Sequence, residues 1–140
     1  MERFIKGDEL KNRKMRLTKI LGLIGAMVWM LTIFIRDSNI ELNGTIAFMI
    51  GVAPNFGVGL LLPMLAKEIY SVVFKKQISC KQFVFILIGG YIALLLSEVI
   101  HDKFLNSPFD IYDMISSFIA FGIFFLLYRY EKKIECSQGE

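Results

Sequence analysis

The sequence predicts an all-α, polytopic membrane helix bundle with four transmembrane helices. Three observations carry this reading: four apolar blocks of spanning length, no polar stripe along them, and basic residues that alternate between the joining segments. The blocks cover roughly residues 17–35, 45–66, 83–101 and 111–130. Each is close to the ~20 residues that a helix rising 1.5 Å per residue needs to cross ~30 Å of hydrocarbon. A soluble helix must keep one face for water. The run FVFILIGGYIALLL from Phe83 to Leu96 instead has no ionisable side chain, and neither has 20–35. Period-2 alternation is also missing, which argues against barrel strands. The whole chain is 55% hydrophobic and 14% aromatic, high values for a soluble fold of 140 residues.

The chain divides into a cytoplasmic N-terminal segment (1–16), the four-helix membrane domain (17–130) and a cytoplasmic tail (131–140). Residues 1–16 are polar and mixed in charge, and no structure is assigned to them. The first span reads as uncleaved. Its charged lead is long, its apolar run exceeds a usual signal core, and no small-x-small pattern follows Ile35.

The second span carries Gly51, Pro54, Asn55, Gly57, Gly59 and Pro63. A helical proline lacks the N–H that would bond the carbonyl four residues back, so a kink or break is expected near Pro54. Broken helices present backbone groups to substrates in transporters, which makes Pro54, Asn55 and Gly57 a candidate broken-helix element. A proline kink satisfied by neighbouring helices is the commoner occurrence and the favoured reading. The connector that follows mixes Ile69, Val72, Val73 and Phe74 with Lys67, Glu68, Lys75 and Lys76. It suits an interfacial amphipathic stretch or an extension of span two.

The fourth span has the clearest ends. Ser107, Pro108 and Asp110 read as N-cap, first-turn proline and acidic third position. Tyr128 and Tyr130 beside Arg129, Lys132 and Lys133 read as an aromatic belt followed by snorkelling cations. Small residues such as Gly22 and Gly25, or the pair Gly89 and Gly90, suit close helix packing.

Orientation follows from the cations. Fourteen of the sixteen lysines and arginines fall in the N-terminal segment, the middle connector and the tail; only Arg36 and Lys103 lie in the other two loops. By the positive-inside rule both termini are cytoplasmic, in the cell membrane. The net charge of +3 thus reflects topology and anionic lipid, not nucleic acid. Cys80 and Cys136 fall on the reducing side, so neither a disulfide nor a metal pair is expected.

One cluster of polar residues stands out. Glu98, His101 and Asp102 are spaced i, i+3, i+4 and share a face at the outer end of span three. A short loop returns Asp110 and Asp113 at the outer end of span four. Ionisable residues within a span are functional candidates because burying them is costly. A divalent metal site, or acid–base work by Glu98 with His101, are the chemical readings. Interfacial solvation, with the aspartates stabilising a helix N-terminus, is the favoured alternative. No nucleophile elbow, P-loop, dinucleotide glycine pattern or metal motif is present, so no cofactor is assigned and an enzyme is not the leading reading.

Residues 97–122, SEVIHDKFLNSPFDIYDMISSFIAFG, resemble the signature of VanZ-like membrane proteins. That signature has a glutamate late in one span and an aspartate in the next, and Glu98 and Asp113 match both in type and in separation. Phe109-Asp110-Ile111 also suits the pattern. His101 stands at the family's glutamine position, Ser107 at its arginine, Ser117 at its asparagine and Ala120 at its glycine. Only Glu98 and Asp113 therefore carry over. The resemblance implies a small bacterial cell-envelope protein, in some members linked to glycopeptide (teicoplanin) tolerance, and implies no reaction.

Three functional expectations result. The first is a VanZ-like envelope protein whose outer cluster engages a lipid headgroup, a cell-wall precursor or another membrane protein. The second is a structural or regulatory subunit of a membrane complex, suggested by small residues in every span. The third is a small membrane enzyme or ion-coupled transporter using the Glu98–His101–Asp102 face and span two.

Overall fold

The computed structural model describes residues 16–38, 40–41, 43–105 and 110–137, without the side chains of Arg16, His101, Leu105, Glu135 and Cys136. The described residues form α1 (Arg16–Asp37), α2 (Gly44–Phe74), α3 (Cys80–Leu105) and α4 (Ile111–Ser137). All four are long and apolar enough to cross a membrane. The bundle has a terminal end, holding the start of α1, the α2–α3 connector and the end of α4. At the opposite loop end lie the α1–α2 and α3–α4 connections.

Large apolar side chains cover the outside, among them Met30 at 65%, Phe85 at 75% and Leu126 at 66% exposure. A protein surrounded by water rarely leaves contiguous apolar surface of this extent. Lipid tails solvate it without penalty, so the bilayer is the environment this surface fits. Inside hydrocarbon, helices gain little from the hydrophobic effect and associate through close packing and polar contacts. The glycines supply the closeness. A Cβ added at Gly25 would stand 2.6 Å from the Gly57 carbonyl oxygen, and one at Gly57 would stand 2.6 Å from that of Gly25. Gly22 receives Met64, and Gly59 lies against Ala120 and the Ser117 backbone. Thus α2 is clasped by α1 on one side and α4 on the other. Gly89 meets nothing and Gly90 only the Phe121 ring at 3.6 Å, so that pair makes no close crossing.

The anticipated break in α2 does not occur. The helix runs uninterrupted from Gly44 to Phe74 through both Pro54 and Pro63. Hydroxyls from α4 reach its backbone on either side of Pro54: Ser116 donates to the Val52 carbonyl at 3.3 Å and Ser117 to the Asn55 carbonyl at 3.2 Å. These bonds pin α4 to α2; the carbonyl that Pro54 leaves without a helical donor is that of Ile50, four residues back. Gly57, named in the candidate broken-helix element, packs against Gly25 and Trp29. The connector residues 67–74 are an extension of α2, ended by Lys75 in a left-handed conformation (φ 50°, ψ 30°). The tail continues α4 as far as Ser137.

α3 leans on the bundle through aromatic contacts. Phe83 is fully buried, 4.3 Å from the Tyr128 ring and 6.0 Å from that of Phe124. Tyr91 meets Phe118 and Phe121 edge-on.

The terminal end is closed by a buried polar knot. The first backbone N–H groups of a helix have no intrahelical acceptor. Here the Thr18 N–H donates to Glu131 Oε1 at 2.9 Å and its hydroxyl to Oε2 at 3.0 Å, so a carboxylate from α4 caps α1. Lys67 of α2 donates to the same hydroxyl and pairs with Glu131 at 3.7 Å; both side chains are nearly buried, at 11% and 7% exposure. Tyr128 donates to the Ile78 carbonyl at 2.6 Å, tying in the connector. Removing one member of a buried pair strands the other charge.

Two outcomes are expected for stability in mild detergent. Gly57→Leu should destabilise by about 1–3 kcal/mol through overpacking against α1, read as a lower thermal midpoint. Lys67→Met should cost about 3–5 kcal/mol, with Lys67→Met/Glu131→Gln, which removes the stranded charge but keeps an acceptor for the Thr18 N–H, recovering most of it. Equal loss in the single and double variants would rule out a stranded charge as the cause.

Candidate functional site at the loop end

Polar groups inside the bundle gather in two layers. Thr18 and Arg36 on α1 are about 27 Å apart at 1.5 Å per residue, as are Asp113 and Glu131 on α4. That spacing is close to the ~30 Å of hydrocarbon in a bilayer. The terminal layer is the polar knot, and the loop layer is the candidate site.

Each loop-layer residue is placed by a helix end. Arg36 lies in the last turn of α1, where a cation complements the carbonyl end of the helix dipole. Asp110 directly precedes α4 and accepts from the Tyr112 N–H at 2.8 Å, which makes it the capping residue. The cap expected at Ser107, with Pro108 in the first turn, gives way to Asp110; residues 107–109 lie outside the described ones. Asp113 sits in the first turn of α4. Glu98 approaches from α3, its Oε1 3.5 Å from the Asp110 backbone nitrogen, at the limit of hydrogen bonding.

Glu98, Asp110, Asp113 and Arg36 line a single cavity of about 650 Å³. Its other walls are apolar residues of α1 and α2 with Ile40 from the joining loop, including Ile35, Phe48, Ile50 and Val52. Asn55 and Arg36 attract the Asp113 carboxyl, whereas Asp110 and Glu98 repel it. Asp113 Oδ1 is shielded from solvent and has no hydrogen-bond partner among the described residues. Pro54 stays half-buried within α2 beside these residues.

Of the anticipated cluster, the structure therefore brings together Glu98, Asp110 and Asp113. Asp102 is exposed and is not part of the cavity wall; it shares the face of Glu98 but lies one turn nearer the end of α3, beyond the cavity. The His101 side chain lies outside the described ones. Among the described residues no group of three histidines, cysteines or acidic residues is placed to hold a metal ion. Asn55, considered with the broken helix, belongs instead to this site through Asp113. Arg36 was not anticipated. It looks like an ordinary flanking cation on a short loop, and only its rarity on that side hinted at more.

Three carboxylates facing one guanidinium leave the cavity with an excess of negative charge. It is chemically suited to a group that brings an ammonium or several hydroxyl donors, with Arg36 available to an anionic portion. Arg36→Gln should lower the thermal midpoint by leaving the carboxylates uncompensated. Adding Asp113→Asn should restore part of it, with a coupling of about 0.2–1 kcal/mol in a double-mutant cycle. Strict additivity would show that Arg36 and Asp113 do not interact. No family model, curated protein or solved structure matches this chain.

Proposed function

We propose that this chain is a VanZ-like cell-envelope protein of the cytoplasmic membrane, with both termini inside, whose loop-end cavity recognises a polar envelope molecule from the outer side. The single observation that carries the reading is convergence. Glu98 and Asp113, the two positions shared with the VanZ-like signature, line the same cavity with Arg36. Although the signature's arginine position holds Ser107, a guanidinium reaches the cavity from α1. The excess of carboxylates favours an amine-bearing headgroup or cell-wall precursor, and no catalytic step is assigned to it.

Orientation rests on charge. Lys75, Lys76, Lys81, Arg129 and Lys133 are exposed at the terminal end, whereas Asp37, Glu41 and Asp102 are exposed at the loop end. A fluorescent protein fused after Glu140 should glow and alkaline phosphatase at the same point should stay inactive; the reverse pattern would invert the topology.

The functional test uses a teicoplanin-sensitive bacterium. Expression of the wild type should raise tolerance, Glu98→Gln or Asp113→Asn should return it to the empty-vector level, and Asp102→Asn should leave it unchanged. A wild type indistinguishable from empty vector sinks the proposal.

A further inference from the structure

We infer that the overhanging end of α2 and the turn after it form an anionic-phospholipid binding collar on the terminal side of the membrane. This inference does not depend on the loop-end cavity. It begins with length. The terminal polar layer lies at Lys67 and Glu131, yet α2 continues to Phe74, about 10 Å further at 1.5 Å per residue. The interfacial layer outside the hydrocarbon is only about 5 to 8 Å deep on each side. The overhang therefore occupies the headgroup region.

Its faces are sharply divided. Tyr70 and Ser71 are half-buried toward the bundle, whereas Ile69, Val72, Val73 and Phe74 are 60%, 74%, 63% and 56% exposed. Directly after them come the exposed cations Lys75 and Lys76, with Lys81 at the start of α3. An apolar helix face bordered by lysines is the pattern that lies in the headgroup–acyl boundary, with the ammonium groups reaching lipid phosphates. Charge complementarity selects anionic lipid. The carboxylates described at this end, Glu68 and Glu131, are both engaged, Glu68 by Lys19 at 3.0 Å and Glu131 by Lys67 and Thr18. These described carboxylates therefore leave the collar's positive charge in place.

Lys75 adds a separate argument. It is the non-glycine residue with positive φ among the described ones, at a helix-ending position where glycine is the less strained choice. A lysine there keeps a charge at a conformational cost.

The test uses the full chain in nanodiscs of phosphatidylcholine with and without phosphatidylglycerol, reading lipid retention by native mass spectrometry and unfolding by thermal melting. Wild type should retain phosphatidylglycerol preferentially. Each lysine near an anionic surface contributes about fivefold, so Lys75→Gln/Lys76→Gln/Lys81→Gln should weaken the preference by about a hundredfold. Lys75→Gly is the informative single variant, because it relaxes the backbone while removing the charge. It should melt no lower than wild type in phosphatidylcholine, yet prefer phosphatidylglycerol about fivefold less. Equal retention of both lipids by wild type, which would leave the face for a protein partner, overturns the inference. So does a full preference kept by the triple variant.

Discussion

The contact between Gly25 and Gly57 is the constraint from which most of this bundle follows. In hydrocarbon the lipid tails compete with every apolar side chain on equal terms, so two helices stay together only if they fit better with each other than with lipid. Removing both Cβ atoms brings the backbones of α1 and α2 to a separation at which each glycine's missing side chain would strike the other's carbonyl. With this crossing set, the remaining pairings along the two helices have little freedom. Gly22 must meet Met64 and Lys19 must meet Glu68 at the terminal end. At the other end the same alignment carries Arg36 to the cavity wall beside Gly51 and Val52.

α4 completes the arrangement from the opposite side of α2. Gly59 against Ala120 sets the approach, and the serines beside it serve the α2 backbone around Pro54. That α4 supplies both Asp113 and Glu131 links the two ends mechanically. One helix caps α1 at the terminal layer and provides a carboxylate to the loop layer. The bilayer explains why the polar groups collect at these two depths: between them, an uncompensated charge would be far costlier than at the interfaces. The ends differ in how they treat charge. The terminal knot is paired and hydrogen-bonded almost completely, as suits a structural clamp. The loop cavity keeps a carboxylate oxygen unpartnered among the described residues and an excess of one sign, as suits a place where something else binds.

Much of this was legible from residue types alone. The four spans follow from apolar length, and the glycine crossing was signalled by Gly22 and Gly25 at close spacing. Glu98 and Asp113 stood out as charges within spans. The boundaries were less legible, because hydropathy falls where charged residues begin while the helix continues. Lys67 and Glu131 are charged and yet lie inside helices that extend seven or six residues past them. At Pro54 the local effect of proline is disruptive, but the helix that holds it is packed by α1 and α4 through residues distant in the chain.

By itself the sequence determined the fold class, the number of membrane-spanning helices and the two layers of charge, since each depends only on how residues one or two turns apart partition between lipid and water. What only the tertiary structure decided is which charges meet. Asn55 and Arg36 join Asp113, Asp102 stays exposed one turn beyond Glu98, and Glu131 caps a helix that begins more than a hundred residues earlier. Those outcomes depend on the crossing of helices distant in the chain, and helix crossing is set by backbone approach at a few glycines rather than by any local pattern.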